Sequence, residues 1–325
     1  MKLLVTYSVK KGPATVAGNE EGEADLDWDT GVIAVVDWER EAVTPVFEYS
    51  SPPEHRNPAL RVLMKCGSFY QGKFYVVTST EILVLDTSTW ILEKVISLPI
   101  FNDLHHVAFI EDTLVVCNTG LDAVAWITPT GEIVRQQVLL GSTVPERFPA
   151  GTDFRQVLST KPHAVHPNYV FRGPQGELFA TSFFHKRAVN VANADDYYPI
   201  EVGNPHDGFV HMDKVYFTTT NGHVVICDAL SRRRITDFNL TSIWGMNEPL
   251  GWCRGLCAVE GRLFVSFSKI RATKFREFVS WIKTGLSSPL PSRIVEIDPE
   301  TGQLIRQVVL PDETSPIFNL LPLHG

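Results

Sequence analysis

Four stretches of the chain follow one plan: KCGSFYQGKFYVV from Lys65, HHVAFIEDTLVVC from His105, HDGFVHMDKVYFT from His206 and RGLCAVEGRLFVS from Arg254. Each begins with a basic residue seven positions before a turn residue, and an alternating apolar run follows the turn. A fifth stretch, KPHAVHPNYVFRGPQGELFATS, has the same plan with extra residues between His163 and Gly176. A spacing that recurs with the same chemistry at one position indicates a structural repeat.

Each stretch is followed by two further alternating runs joined by a polar turn, as in EILVLDTSTWILEKVISL from Glu81. Four-stranded units at this spacing are typical of a β-propeller. Five full units lie within residues 65–311, and the chain ends supply a sixth: strands at 2–9 and 31–47 from one end and IFNLLPLHG at 317–325 from the other. We therefore predict an all-β, six-bladed β-propeller over residues 1–325, one domain whose ring closes by pairing of the termini, which removes an exposed sheet edge.

Three insertions interrupt the repeat, at about residues 10–30, 141–162 and 271–290. The third carries Phe275, Phe278 and Ile282 at helical spacing, which predicts an amphipathic helix over 271–286. We expect this helix and the acidic first insertion to lie at one face of the ring, as a lid.

Composition argues against nucleic-acid binding and membrane insertion and indicates a cytoplasmic protein. The net charge of −8 argues against a nucleic-acid surface, because phosphate binding needs a basic face. The apolar start of the chain is too short for a signal peptide or a membrane span. The five cysteines fall mostly in predicted strands and indicate reduced core residues, hence a cytoplasmic protein.

The innermost strand of each blade lines the axis of a propeller, so the basic residues at the strand starts are expected around one mouth. Lys65, His105, His206 and Arg254 hold equivalent positions, and the fifth stretch offers His163 or His166. Side chains alternate along a strand, and the shared register favours His105 over His106 for the axis. Loops expected at the same face add three candidate substrate-binding residues, Asn118, His185 and Asn221.

Two classes of function follow from this mouth. The first is an enzyme acting on a small anionic molecule, in which His105, His163 and His206 hold a divalent transition metal (Fe, Mn or Zn) and Lys65 and Arg254 bind the anion. Without a metal the ring is an anion pocket, and lyase, oxygenase and hydrolase chemistry all stay open. The second is a non-catalytic propeller that binds an anionic ligand or a protein tail. The plainer reading is that each histidine braces a neighbouring loop.

The stretches RGLCAVEGRLFVSFSKIR, HHVAFIEDTLVVCNTG and KPHAVHPNYVFRGPQGELFATS resemble a family of uncharacterised bacterial six-bladed propellers, over about residues 60–311. That resemblance implies a fold and no activity. The chain is more loosely similar to NHL-repeat and gluconolactonase-like propellers, whose lactonases hold calcium near the axis with a Glu, two Asn and an Asp. Only Asn118 matches that set, since the axial positions here are basic.

Overall fold

The computed structural model describes residues 1–10, 28–141, 148–246, 249–270, 290–311 and 314–323. Within these ranges the strands form six antiparallel sheets of four strands each. Each sheet is one blade, so the predicted all-β, six-bladed β-propeller is confirmed.

Blades 1 to 3 are built as follows. Blade 1 combines β1 (Lys2–Val9), β2 (Thr30–Asp37), β3 (Ala42–Tyr49) and β24 (Ile317–Pro322). Blade 2 contains β4 (Gly67–Tyr70), β5 (Lys73–Val77), β6 (Ile82–Asp86) and β7 (Leu92–Ile96). Blade 3 contains β8 (Leu104–Ile110), β9 (Thr113–Asn118), β10 (Ala123–Ile127) and β11 (Ile133–Val138).

Blades 4 to 6 repeat the arrangement. Blade 4 contains β12 (Pro167–Arg172), β13 (Leu178–Ser182), β14 (Arg187–Asn190) and β15 (Tyr197–Pro199). Blade 5 contains β16 (Pro205–His211), β17 (Lys214–Thr219), β18 (His223–Asp228) and β19 (Arg234–Asn239). Blade 6 contains β20 (Trp252–Val259), β21 (Arg262–Ser268), β22 (Arg293–Ile297) and β23 (Leu304–Val309).

The apolar pattern of the sequence follows each strand's place in its blade. The second and third strands are buried on both faces, which explains their near-continuous apolar runs, whereas outer strands such as β11 and β23 are largely exposed. Turns between the first two strands use left-handed backbone, as at Gly72 and Gly261, whose φ angles are 74° and 76°.

The apolar core lies between the blades. The described residues contain six larger buried apolar clusters, and each one joins a pair of adjacent blades. The cluster between blades 6 and 1 includes Trp38, which packs edge-on against Phe264 with ring centroids 5.0 Å apart. The Trp38 indole N–H also donates to a carboxylate oxygen of Glu296 at 3.1 Å. The first and last blades in the chain are therefore packed together like the others.

The two ends of the chain meet in blade 1. Strand β24 pairs antiparallel with β1, with Leu320 opposite Val5 and Leu321 opposite Leu4. Ile317 and Leu320 are fully buried. Strand β24 is thus the fourth strand of the sheet that contains β1, and the closure of the ring by this pairing stays a prediction.

The insertions fall partly outside the described residues. The helix predicted over 271–286 lies outside them, as do residues 11–27 of the first insertion. The middle insertion contains a 3₁₀ turn at Phe154–Gln156, and an α-helical turn, Leu240–Ile243, follows β19. No helix in the described ranges is long and apolar enough to cross a membrane. All five cysteines are buried and free.

Candidate functional site

A β-bulge near the start of the innermost strand recurs in the blades and decides which side chains meet at the axis. In β16, His206 and Asp207 together oppose the single residue Thr218. Bulges of this kind bend a strand and redirect its side chains. The same register shift occurs in β8, β12 and β20. In blade 2 the backbone of Lys65 and Cys66 bonds in the same way to Val77.

Six residues, one from each blade, form a ring around the axis. Five are the first residues of the bulges, and the sixth lies at the register shift in β24. These ring residues are Lys65, His105, Asn168, His206, Arg254 and Phe318. Threonines of the preceding blade fix three of the ring carbonyls, because their hydroxyls donate to the carbonyl oxygens of Lys65, His206 and Arg254. The ring is thus held by hydrogen bonds that cross from blade to blade.

All six ring residues line one cavity of about 850 Å³. The shared mouth predicted for Lys65, His105, His206 and Arg254 is therefore present. His163 and His166 line the same cavity from the loop before β12, but Asn168 takes the ring position of blade 4. Both histidines that the fifth stretch offers therefore lie at the mouth, although neither takes the ring position of blade 4. The extra residue of blade 4 lies in the β12–β13 turn, between Gly173 and Gly176.

The prediction that His105 rather than His106 faces the axis agrees with the structure. His105 lines the cavity, with its ring centroid 5.1 Å from that of His166 and 6.0 Å from that of His206. His106 is instead buried between blades, where it stacks on Tyr169 at 3.7 Å.

The described part of the cavity wall has a strong excess of basic side chains. Five are basic, whereas only one, Asp103, is acidic; the basic residues are Arg61, Lys65, Lys161, Arg254 and Lys269. Half of the remaining described lining residues are aromatic or apolar, among them Trp28, Leu63, Phe183, Phe184, Trp252 and Phe318. A concave apolar site with a few convergent charges is typical of small-molecule binding.

Lys65 and Asp103 form an ion pair in this wall. The Lys65 Nζ lies 2.6 Å from Asp103 Oδ1, and the Lys65 side chain is fully buried while that of Asp103 is 32% exposed. Burial lowers the pKa of Lys65, and the carboxylate of Asp103 opposes that shift. Burial would raise the pKa of Asp103, but the charges of Lys65, His105 and His166 hold it below its usual value. Asp103 was not predicted as a site residue.

His105 and His206, the two histidines of the axial ring, favour their neutral forms. Burial is the main cause, and it holds the pKa of His105 and His206 well below the usual value. Burial likewise lowers the pKa of His166 to about 3 and that of Arg254 to about 10. At neutral pH the cavity therefore combines neutral imidazoles with a guanidinium that keeps its charge.

His206 is paired with its neighbour in the bulge. Its Nδ1 lies 2.5 Å from Asp207 Oδ1, and both side chains are buried. Burial raises the pKa of Asp207, although the charge of Arg254 opposes that shift. The Nε2 of His206 is buried and has no hydrogen-bond partner among the described residues. The pair thus favours a neutral state in which Asp207 donates its proton to Nδ1.

Three predicted substrate-binding residues lie away from the cavity lining. Asn118 is buried and braces a loop, because its amide donates to the Ile100 carbonyl and its oxygen accepts from the Asn102 N–H. Asn221 similarly donates to the carbonyl of Val202. His185 is exposed and lines a separate groove of about 420 Å³ beside β11 and β14. The described lining of the axial cavity includes none of the three.

The histidines predicted as metal ligands are divided between two groups. In the described ranges, Asp103, His163 and His166 bring one potential ligand atom each to within 4.8 Å of one another, as do Cys66, His206 and Asp207. His105 belongs to neither group. The predicted trio of His105, His163 and His206 is therefore not assembled as one ligand set.

Comparisons with known proteins support the fold. No family model matches the chain, and no curated protein matches it. A solved structure of a protein of unknown function from Bacteroides caccae is similar to it, with a TM-score of 0.62 at 12% identity, over 100% of this chain and 99% of that one. A chain of a nidogen/laminin complex is similar with a TM-score of 0.61 at 8% identity, over 98% and 97% of the two chains.

A virginiamycin B lyase from Staphylococcus aureus, solved as an inactive variant with quinupristin, matches 76% of this chain and 70% of its own, with 14% identity and a TM-score of 0.47. The first two structures, with TM-scores above 0.6, support the fold alone, and at these identities none of the three bears on activity. The resemblance to bacterial and NHL-type propellers inferred from the sequence is thus confirmed for the fold: the chain is a six-bladed β-propeller.

Proposed function

We propose that the protein is an enzyme that binds a small anionic substrate in the axial cavity and transfers a proton to or from it through His206. The observation that carries this proposal is the wall of the cavity, where five basic side chains face one carboxylate among the described residues. Gathering like charges is costly unless a counter-charge is bound, so a wall of this kind favours an anion.

Arg254 is the main candidate for binding the anion. Its guanidinium lies over the rings of Phe318 and Trp252, at 4.6 and 5.7 Å from their centroids, so its plane is fixed by packing. One terminal nitrogen donates to Ser268 Oγ at 3.4 Å, and the buried Nε has no partner among the described residues. An arginine with donors in reserve is suited to bidentate binding of a carboxylate or phosphate group.

His206 is the candidate for proton transfer. In the neutral pair favoured by burial, Asp207 donates to Nδ1 and the proton of the imidazole is on Nε2. Delivery of that proton to a leaving group, with movement of the Asp207 proton to Nδ1, forms a carboxylate whose charge Arg254 stabilises. General-acid chemistry of this kind fits lyase and hydrolase reactions.

The test separates binding from catalysis. Chelator-treated, full-length protein is titrated calorimetrically with a panel of small carboxylates, phosphate esters and sulfate, and each bound compound is followed for conversion by NMR. We expect Arg254→Ala to weaken binding by about 10- to 100-fold, the loss typical of a charge-assisted hydrogen bond. Arg172→Ala is the matched control, since that arginine pairs with Glu111 at the surface.

His206→Gln should bind the converted compound and fail to convert it. Binding without conversion by the parent would assign the protein to the non-catalytic class of binding propellers. Equal affinities for the parent and Arg254→Ala would refute the anion site itself. The divalent metal expected from the sequence is not needed for this chemistry.

A further inference from the structure

We infer that Asp103, His163 and His166 form a two-histidine, one-carboxylate site for a divalent transition metal at the rim of the axial cavity. This inference rests on the proposed function for its substrate, because the open positions of the metal would face the anion. It replaces the ligand set predicted from sequence and leaves His105 and His206 outside the metal's coordination.

The ligand atoms are already close together. The Nδ1 atoms of His163 and His166 are joined by a hydrogen bond at 2.6 Å, which a metal would replace, and the three residues bring ligand atoms to within 4.8 Å of one another. Lys65 and His105 both approach Asp103 Oδ1, at 2.6 and 3.8 Å, so the metal would take Oδ2. Two imidazoles and one carboxylate with open positions form a donor set typical of Fe(II), Mn(II) and Zn(II) sites.

Neighbouring groups hold the histidines in place. The Nε2 of His163 lies 3.1 Å from Thr160 Oγ1, and Thr160 in turn donates to the Asn102 side chain at 3.3 Å. A hydrogen bond at the distal nitrogen orients the imidazole and directs its Nδ1 toward His166, and such support is usual for metal-binding histidines.

The loop that carries both histidines is clamped by one carboxylate. Asp122 accepts hydrogen bonds from the backbone N–H groups of Ala164, Val165 and His166 at 2.7, 3.0 and 2.8 Å. His166 has a φ of 54°, a left-handed conformation that is uncommon for a residue with a side chain. Asp122 thus stabilises the backbone turn that points both imidazoles to the same place.

The site is open to two spaces. Asp103 and His163 line the axial cavity and also a neighbouring cavity of about 390 Å³. The three side chains are partly exposed, which leaves an entry path for the ion. A divalent ion beside Lys65 and a single carboxylate leaves positive charge to be balanced, and an anionic substrate would balance it.

The experiment measures metal binding without substrate. Chelator-stripped, full-length protein in a buffer free of phosphate and carboxylates is titrated with Zn²⁺ and Mn²⁺ by calorimetry, and with Co²⁺ by visible absorption. We expect one ion per chain. His163→Ala and His166→Ala should each lower the affinity at least 10-fold, whereas His105→Ala, His206→Ala and the exposed control His185→Ala should bind as the parent does.

Three results would overturn the inference: no saturable binding to the parent, unchanged affinity in His163→Ala and His166→Ala, or loss of metal in His105→Ala and His206→Ala. The first two would mean that the His163–His166 contact is an ordinary shared-proton hydrogen bond. If the metal site is absent, metal-free protein should still bind the anion. If the anion site is absent, the protein should still bind one metal ion per chain. The two titrations therefore test the two proposals separately.

Discussion

Removal of residues 316–325 should abolish cooperative folding, because it deletes the innermost strand of blade 1. Ile317, Phe318 and Leu320 are at most 4% exposed, and burying an apolar side chain of this size contributes about 1.5–3 kcal/mol. The three together contribute about 5–9 kcal/mol, which is comparable to the whole stability of a typical domain, about 5–15 kcal/mol. The deletion also exposes an edge of β1, which favours aggregation.

The assay is urea unfolding followed by tryptophan fluorescence and circular dichroism. A chain that ends at Pro322 is the matched control, since it keeps all of β24, and it should unfold within about 1 kcal/mol of the parent. If the 316–325 deletion unfolds cooperatively at the same urea concentration as this control, the pairing of β24 with β1 is not needed for stability, and the prediction is wrong.

Two further predictions concern the buried histidines and the clamp on their loop. Burial lowers the pKa of His106 to about 3, below the ordinary value of about 6.5, so the unfolded chain binds more protons between these values. Stability should therefore fall as the pH drops below 6.5, by up to about 1.4 kcal/mol per pH unit for this residue alone, and urea midpoints that stay constant from pH 7.5 to 5.5 would contradict it. Asp122→Ala should lower metal affinity by about 10- to 100-fold through loss of its bonds to the 163–166 backbone, while anion binding to metal-free protein persists. Unchanged calorimetric metal affinity in a folded Asp122→Ala protein would show that the clamp does not position the ligands.

The repeat plan alone identified four members of the ring, because Lys65, His105, His206 and Arg254 keep the same distance to the following turn. It missed Asn168, because the β12–β13 turn is one residue longer than the other turns and breaks the seven-residue spacing. Phe318 was invisible to the pattern, because its blade takes its innermost strand from the far end of the chain.

The polar residues in loops were harder to assign from sequence. Asn118 and Asn221 donate hydrogen bonds to backbone carbonyls of neighbouring loops. The sequence alone does not distinguish an asparagine that braces a loop from one that binds a ligand. Asp103 carried no signal either, since its partner Lys65 is 38 residues away in another blade. A pattern of strict alternation also cannot predict the bulges that turn the ring residues toward the axis, although a polar residue at the strand start, such as His206, marks where each one occurs.

The claim that the axial cavity binds a small anion can be checked with a crystal structure of the protein grown with selenate and measured at the selenium absorption edge. We predict an anomalous peak inside the cavity of about 850 Å³, with selenate oxygens about 2.7–3.0 Å from the guanidinium of Arg254. The same crystal form of Arg254→Ala should lose that peak. Ordered selenate at the outer surface together with an axial cavity that holds only water would contradict the claim.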